Sequence, residues 1–196
     1  MRIISVTGAI GSGKTTLLRR LRERNARWRV VEEPVAEWER DGWLSAFYAD
    51  KPRWAFPFQM KVVQSQIEAI EANSDAEVLI IERSPLDGLL VFCQLLCEQG
   101  AMPREQYDVY RFFVERLWKP SALVLLDVPP DQLLQRIAAR NRAAECSASD
   151  AAYFGAVAEK YARLAQLPLP TLVLAPYNLA QLDEQCARIE AFVESH

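Results

Sequence analysis

Short runs of β-branched and apolar residues alternate along this chain with longer stretches in which apolar positions recur at helical spacing. The short runs predict strands at about residues 3–7, 29–32, 78–82, 123–127 and 171–174. Val78-Leu79-Ile80-Ile81 is apolar throughout rather than alternating, as expected of a strand buried on both faces. Helix-period segments are predicted at about 15–25, 54–73, 86–99 and 104–118, with an amphipathic closing helix at 179–195. Pro103 falls near the first turn of the fourth, where a missing N–H is tolerated. Strands alternating with helices imply βαβ units. The predicted fold is therefore α/β, a roughly five-stranded parallel sheet with helices on both faces. No repeat, low-complexity stretch or linker interrupts the pattern, so residues 1–196 are read as one domain, a length that supports a single core.

Composition narrows the class. The chain is 51% hydrophobic and 25% charged, a soluble globular profile. The net charge of −3 argues against a strongly basic nucleic-acid face, and no apolar run approaches a membrane span. No leader is expected at the N-terminus, because candidate phosphate-binding residues begin at Gly8. Cys93, Cys97, Cys146 and Cys186 form no C-x-x-C pair, so neither a zinc ribbon nor a redox dithiol is indicated. Cys93 and Cys97 read as two buried thiols on one helix face. Scattered free cysteines suit a reducing compartment, and a cytoplasmic location is expected. The one histidine is His196, so an internal Ser-His-Asp triad or a His-rich metal site is excluded. A general base, if one exists, is a carboxylate or something rarer.

Residues 8–15 read Gly8-Ala9-Ile10-Gly11-Ser12-Gly13-Lys14-Thr15, followed by Thr16. This matches G-x-x-x-x-G-K-[ST] between an apolar run and a helix, the context the motif requires. Glycines let backbone N–H groups turn toward phosphate oxygens, and the following helix aims its positive end at the same anion. Lys14 is expected to reach the β- and γ-phosphates, and the Thr15 hydroxyl to serve Mg²⁺. The motif predicts nucleoside triphosphate binding and is silent about the acceptor.

Two strands end in an acid, Glu82 and Asp127, and either could hold Mg²⁺. Arg83 and Ser84 follow Glu82 at once, a charged trio at a strand's carboxyl end where ligands bind in open sheets. Asp127 is followed by Val128 and two prolines, so Glu82 is favoured. Glu33, at the end of the second strand, suits a proton acceptor for an attacking hydroxyl; the alternative is a solvated acid capping a loop. Arg136 and Arg140 share a helix face, with Arg142 and Glu145 beyond it. Such arginines stabilise charge on a moving phosphoryl group, on a flap that excludes water. A solvated helix face is the competing reading, and a nucleic-acid contact a third.

Together these pieces resemble the deoxyribonucleoside kinase family, with a local resemblance to herpesvirus thymidine kinases. The match runs from about residue 2 to 165. It rests on the phosphate loop, Glu33-Pro34-Val35-Ala36-Glu37-Trp38, Tyr48, residues 53–59, Glu82-Arg83-Ser84 and residues 140–145. The resemblance implies that Glu33 is the base toward the 5′-hydroxyl and that Glu82 is the Mg²⁺-associated acid. Arg83 would contact the 5′ oxygen and the incoming phosphate. Tyr48 and Glu145 would hold the 3′-hydroxyl, Gln59 would read the base edge, and Trp38 and Phe58 would wall the base. Arg136, Arg140 and Arg142 correspond to lid arginines, Arg136 near adenine, on a lid at about 136–147. A homodimer through residues 54–73 and 86–118 is likewise implied. The cellular enzymes carry charged residues near the base where this chain has Gly88 and Gln66. A small Gly88 is expected to leave room beside C5 of a pyrimidine, which leans the substrate toward thymidine or pyrimidines. A thymidylate-type nucleotide kinase and a partner-moving P-loop ATPase are the alternatives. Glycines typically follow Glu-Pro in the former, and no attacking-water residue is visible for the latter.

Overall fold

The structure, a computed structural model, describes residues 1–140 and 148–196, the side chains at 140 and 148–151 excepted. Five parallel strands form one sheet: β1 (Arg2–Gly8), β2 (Arg29–Val31), β3 (Val78–Glu82), β4 (Ala122–Leu126) and β5 (Thr171–Leu174), in the order β2-β3-β1-β4-β5. The register pairs Val6 with Glu82 and Gly8 with Leu126, so the phosphate loop and the acid of β3 leave the sheet side by side at its carboxyl edge.

Alternate residues of the strands send apolar side chains to opposite faces. Ile4, Val6, Ile80, Val124 and Leu126 pack with Leu17, Leu18 and Leu21 of α1 (Lys14–Arg24) and with Cys186 and Ile189 of α10 (Leu182–Ser195). Leu17, Leu18 and Leu21 follow the helical spacing that makes one buried stripe. The other face is covered by a larger cluster. It draws on α2 (Val35–Arg40), α3 (Trp43–Ala49) and α4 (Lys51–Ala72), and on the helical stretch α5 (Pro85–Asp87), a π-helix (Gly88–Cys93) and α6 (Gln94–Glu98). Helices α7 (Arg104–Val114), α8 (Pro130–Arg140) and α9 (Ala148–Leu164) complete it.

The alternation reading holds for all five strands and for the principal helices. The differences are local. The helix expected at 54–73 begins at Lys51, because the Asp50 side chain caps it, accepting from the Arg53 N–H at 3.3 Å. The helix expected at 104–118 ends at Val114. Residues 86–99 are not one regular α-helix: Gly88–Cys93 is π-helical, a local widening of the kind that collects at functional sites. Helices α2 and α3, of 6 and 7 residues, are too short to produce a legible period. Among the described residues, no helix is long and apolar enough to cross a membrane.

Candidate active site

A cleft of about 660 Å³ opens at the carboxyl edge of the sheet and runs from the phosphate loop to an aromatic pocket. Its donor end is built by β1, the loop and α1. Gly13, at φ +101°, is the residue before α1, and its left-handed backbone turns the chain into the helix. Lys14 is only 4% exposed and donates to the carbonyls of Gly8 and Ala9, each at 3.0 Å. Burial, together with the nearby Arg83 charge, pushes its ammonium down to about 8. The Thr15 hydroxyl donates to Glu82 Oε2 at 3.2 Å, and Lys14 Nζ stands 3.7 Å from Glu82 Oε1. Asp127 is exposed and does not border the cleft. The geometry therefore groups Glu82, and not Asp127, with Lys14 and Thr15. Arg136 borders the same end and donates from Nη1 to the Ser12 carbonyl at 3.1 Å.

Midway along the cleft, Arg83 forms an ion pair with Glu33. Both side chains are about nine-tenths or more buried. Burial raises the Glu33 carboxyl above its ordinary range, and the Arg83 charge opposes that shift. Burial also works against the Arg83 guanidinium, but Glu33, Tyr161 and Glu82 more than offset it, so Arg83 stays charged. Among the described residues, Arg83 is the one non-glycine at positive φ, +61°. Such a conformation costs about 1–3 kcal/mol unless its surroundings hold it. Here its N–H donates to the Val6 carbonyl at 3.0 Å, its Nε to the Tyr161 hydroxyl at 2.9 Å, and its ring-facing side lies over Phe92, 5.0 Å from the centroid. The Glu33 backbone N–H reaches Glu82 Oε2 at 3.4 Å, which ties the donor end to the ion pair.

The far end is aromatic. Trp38 meets Phe58 edge-on at 5.5 Å, and Phe47 lies 5.2 Å from Phe58 and 5.1 Å from Tyr48. Helix α4 carries Gln59 and Gln66 on this wall, 4% and 6% exposed, and the Oε1 of each is buried with no hydrogen-bond partner. A buried carbonyl oxygen left without a partner costs free energy, and both glutamines border the cleft.

Gly88 borders the pocket too. A Cβ placed on it would fall far inside contact with the Tyr110 hydroxyl and 3.1 Å from Tyr110 Cζ. The direction a Gly88 side chain would take is thus filled by a fully buried tyrosine of α7, while Gly88 itself borders the cleft. Packing against Tyr110 is thus sufficient reason for glycine at this position.

The structure brings together Lys14, Thr15, Glu33, Trp38, Tyr48, Phe58, Gln59, Gln66, Glu82, Arg83, Gly88 and Arg136 along one cleft, with Ile10, Gly11, Gly13 and Thr16. Gly8, Ala9 and Ser12 complete the loop without bordering the cleft. The Arg140 side chain, Arg142 and Glu145 lie outside the described residues, as does most of the expected lid. Sequence reasoning missed Phe47, Asp87, Phe92 and Tyr153, which border the cleft, and Tyr161 behind it. Ser84-x-x-Asp87 is a legible capping pattern; the aromatic residues carry no local signal beyond apolar periodicity.

Comparison with known proteins gives a concordant result. A family model for deoxynucleoside kinases matches residues 4–194. A protein of Frog virus 3 (isolate Goorha), provisionally named a deoxynucleoside kinase, is 35% identical over 147 residues, 73% of this chain and 72% of its own. The thymidine kinase of Ictalurid herpesvirus 1 (strain Auburn) is 32% identical over 152 residues, covering 73% and 65%. Deoxycytidine kinase 2 of Gallus gallus is 27% identical over 177 residues, covering 74% and 67%.

Proposed function

The chain belongs to the deoxynucleoside kinase family, and from that premise we propose that it transfers the γ-phosphate of ATP to the 5′-hydroxyl of a deoxyribonucleoside, with a lean toward pyrimidines, thymidine included. One observation carries this reading. A single cleft has a phosphate loop at one end, two buried glutamines whose Oε1 has no partner among aromatic walls at the other, and a Glu33–Arg83 pair between. A planar base fits flat apolar walls with a few fixed polar groups, and a neutral amide both donates and accepts, which suits the edge of thymine or cytosine. The names of relatives include both thymidine and deoxycytidine kinases.

In this reading Glu33 accepts the 5′ proton, and its carboxyl, raised by burial, is a better base than an exposed one. As the proton reaches Glu33 its ion pair with Arg83 weakens, and the terminal nitrogens of Arg83 are freed for the reacting oxygens. Lys14 exchanges the loop carbonyls for β- and γ-phosphate oxygens, whose negative charge favours the ammonium form that burial disfavours. Tyr48 and Glu145 hold the 3′-hydroxyl, and Arg136, Arg140 and Arg142 close over the donor. Thr15 and Glu82 form a pair of hard oxygen donors 3.2 Å apart beside the loop, a set that fits Mg²⁺ completed by phosphate oxygens and water. When bound, the ion neutralises charge on the β- and γ-phosphates. A homodimer completes the reading: α7 presents Val109, Phe112 and Phe113 to solvent, about half exposed, and apolar side chains adjacent on one surface favour a covered interface. The test of the reaction is nucleoside monophosphate formation from ATP and each deoxynucleoside, with thymidylate and acceptor-free ATP as competing substrates.

A further inference from the structure

Tyr161 lies outside every motif of the sequence and does not border the cleft, yet it is 3% exposed and bonded to two charged groups. Arg83 Nε donates to its hydroxyl at 2.9 Å, and the hydroxyl lies 3.0 Å from Asp87 Oδ1. The direction of both bonds is fixed by chemistry. A guanidinium has no acceptor, and an ionised carboxylate has no donor. The hydroxyl proton must therefore point at Asp87, and a lone pair must face Arg83.

Asp87 is itself immobile. It accepts from the Thr7 hydroxyl on β1 and from the Ser84 N–H and hydroxyl at 2.8 and 2.9 Å. The chain of bonds thus runs from β1 through Asp87 and Tyr161 to the Nε edge of Arg83, a side chain on a strained backbone. Holding a guanidinium by its Nε leaves the terminal nitrogens pointed elsewhere. Nη1 pairs with Glu33, and Nη2 has only a long contact to the Gly8 carbonyl at 3.4 Å. Nη2 is thus the nitrogen open to a phosphoryl group, joined by Nη1 once Glu33 is protonated.

We infer that Tyr161 is a positioning residue for the transfer step, fixing Arg83 by its Nε so that the terminal nitrogens face the reacting oxygens. Tyr161 sits eight residues after Tyr153 on α9, on the same helix face, and Tyr153 borders the acceptor pocket. One helix therefore carries both an aromatic wall at the acceptor and the clamp on the arginine. The inference rests on the kinase reading above for the meaning of Arg83, and on the geometry alone for the clamp.

The test is Tyr161→Phe, which keeps the ring and removes the hydroxyl, alongside Arg83→Lys and the double variant. Loss of a hydrogen bond to a charged group predicts a fall in kcat of about 10- to 100-fold. The nucleoside KM should stay within about threefold, since an interaction used only in the transition state moves kcat. In the Arg83→Lys background, which has no Nε–H to hold, Tyr161→Phe should cost almost nothing more. An unchanged kcat, a fall shared equally by KM, or additive losses in the double variant would each overturn the inference. A second measurement needs no tyrosine variant: in the wild-type protein, the Arg83 Nε–H resonance, assigned by its loss in Arg83→Lys, should exchange slowly with solvent. Exchange as fast as that of exposed arginines such as Arg40 refutes the clamp. Failure of the wild type to phosphorylate any nucleoside would strike the functional reading, while the resonance still judges the clamp.

Discussion

Replacing Gly88 with alanine should destabilise this protein, against the usual direction. Gly88 has ordinary right-handed helical angles, φ −57° and ψ −49°, and at such a position alanine normally gains about 0.4–1 kcal/mol by restricting the unfolded chain. Here the new methyl meets the Tyr110 hydroxyl well inside contact, with Cζ 3.1 Å away. Tyr110 is fully buried and cannot swing aside. Overpacking of this kind costs about 1–3 kcal/mol, so the net loss is about 1–2 kcal/mol once the alanine gain is subtracted. For a chain of this size that lowers Tm by roughly 2–8 °C. Tyr110→Phe removes the colliding oxygen, whose hydrogen-bonding neighbour is the weakly bonding Cys93 thiol, so this change alone should cost little. In the Tyr110→Phe background the methyl meets only Cζ, a tight but tolerable approach, and Gly88→Ala should become neutral or stabilising. Urea and thermal unfolding of the four proteins yield the coupling, expected at about 1–3 kcal/mol. Additive effects, or a Gly88→Ala protein as stable as wild type, would refute the argument that Tyr110 is the reason for glycine at this position.

Other consequences are open to direct measurement. Gln59→Leu should raise the nucleoside KM by about 10- to 100-fold, as expected for a lost polar contact to a bound group. It should leave the ATP KM unchanged and should not destabilise the free protein, since its buried Oε1 has no partner to lose; a change confined to the ATP KM would contradict the assignment of the acceptor end. Because burial raises the Glu33 carboxyl above 4.5, that group is still protonated where an exposed glutamate has ionised. The acidic limb of the kcat/KM–pH profile, which reports the free enzyme, should thus lie above that of an ordinary glutamate, with activity lost as pH falls through it, and a limb at or below the ordinary glutamate range would count against Glu33 as base. Phe112→Glu with Phe113→Glu should convert a dimer to monomers in light scattering, while a monomeric wild type would remove the proposed interface.

The fold was legible because its strongest signal, alternation of buried strands with helices, is local. Val78-Leu79-Ile80-Ile81 and Leu123-Val124-Leu125-Leu126 can only be interior strands, and each lies beside β1. The donor end was equally legible, since a phosphate loop is written in consecutive residues. What escaped was set by tertiary contact. Tyr110 explains Gly88, and Tyr161 holds the Arg83 side chain by its Nε, but neither relation leaves a mark on spacing because the partners are 22 and 78 residues apart. The π-helical turn at Gly88–Cys93 looks like ordinary helix in sequence, because one extra residue per turn does not disturb an apolar run. Helices α2 and α3 were missed for the opposite reason, being too brief to repeat.

The central claim is that one cleft couples ATP to a nucleoside hydroxyl through Glu33. Its most direct test is ATP-dependent phosphorylation of the four deoxynucleosides and of thymidylate by the wild type beside Glu33→Gln, with products resolved chromatographically. The account predicts nucleoside monophosphates from the wild type, pyrimidines foremost, and a fall in kcat of about 100-fold or more in the variant, in the range for loss of a general base. Phosphorylation of thymidylate alone, ATP hydrolysis without an acceptor, or full activity in Glu33→Gln would contradict it.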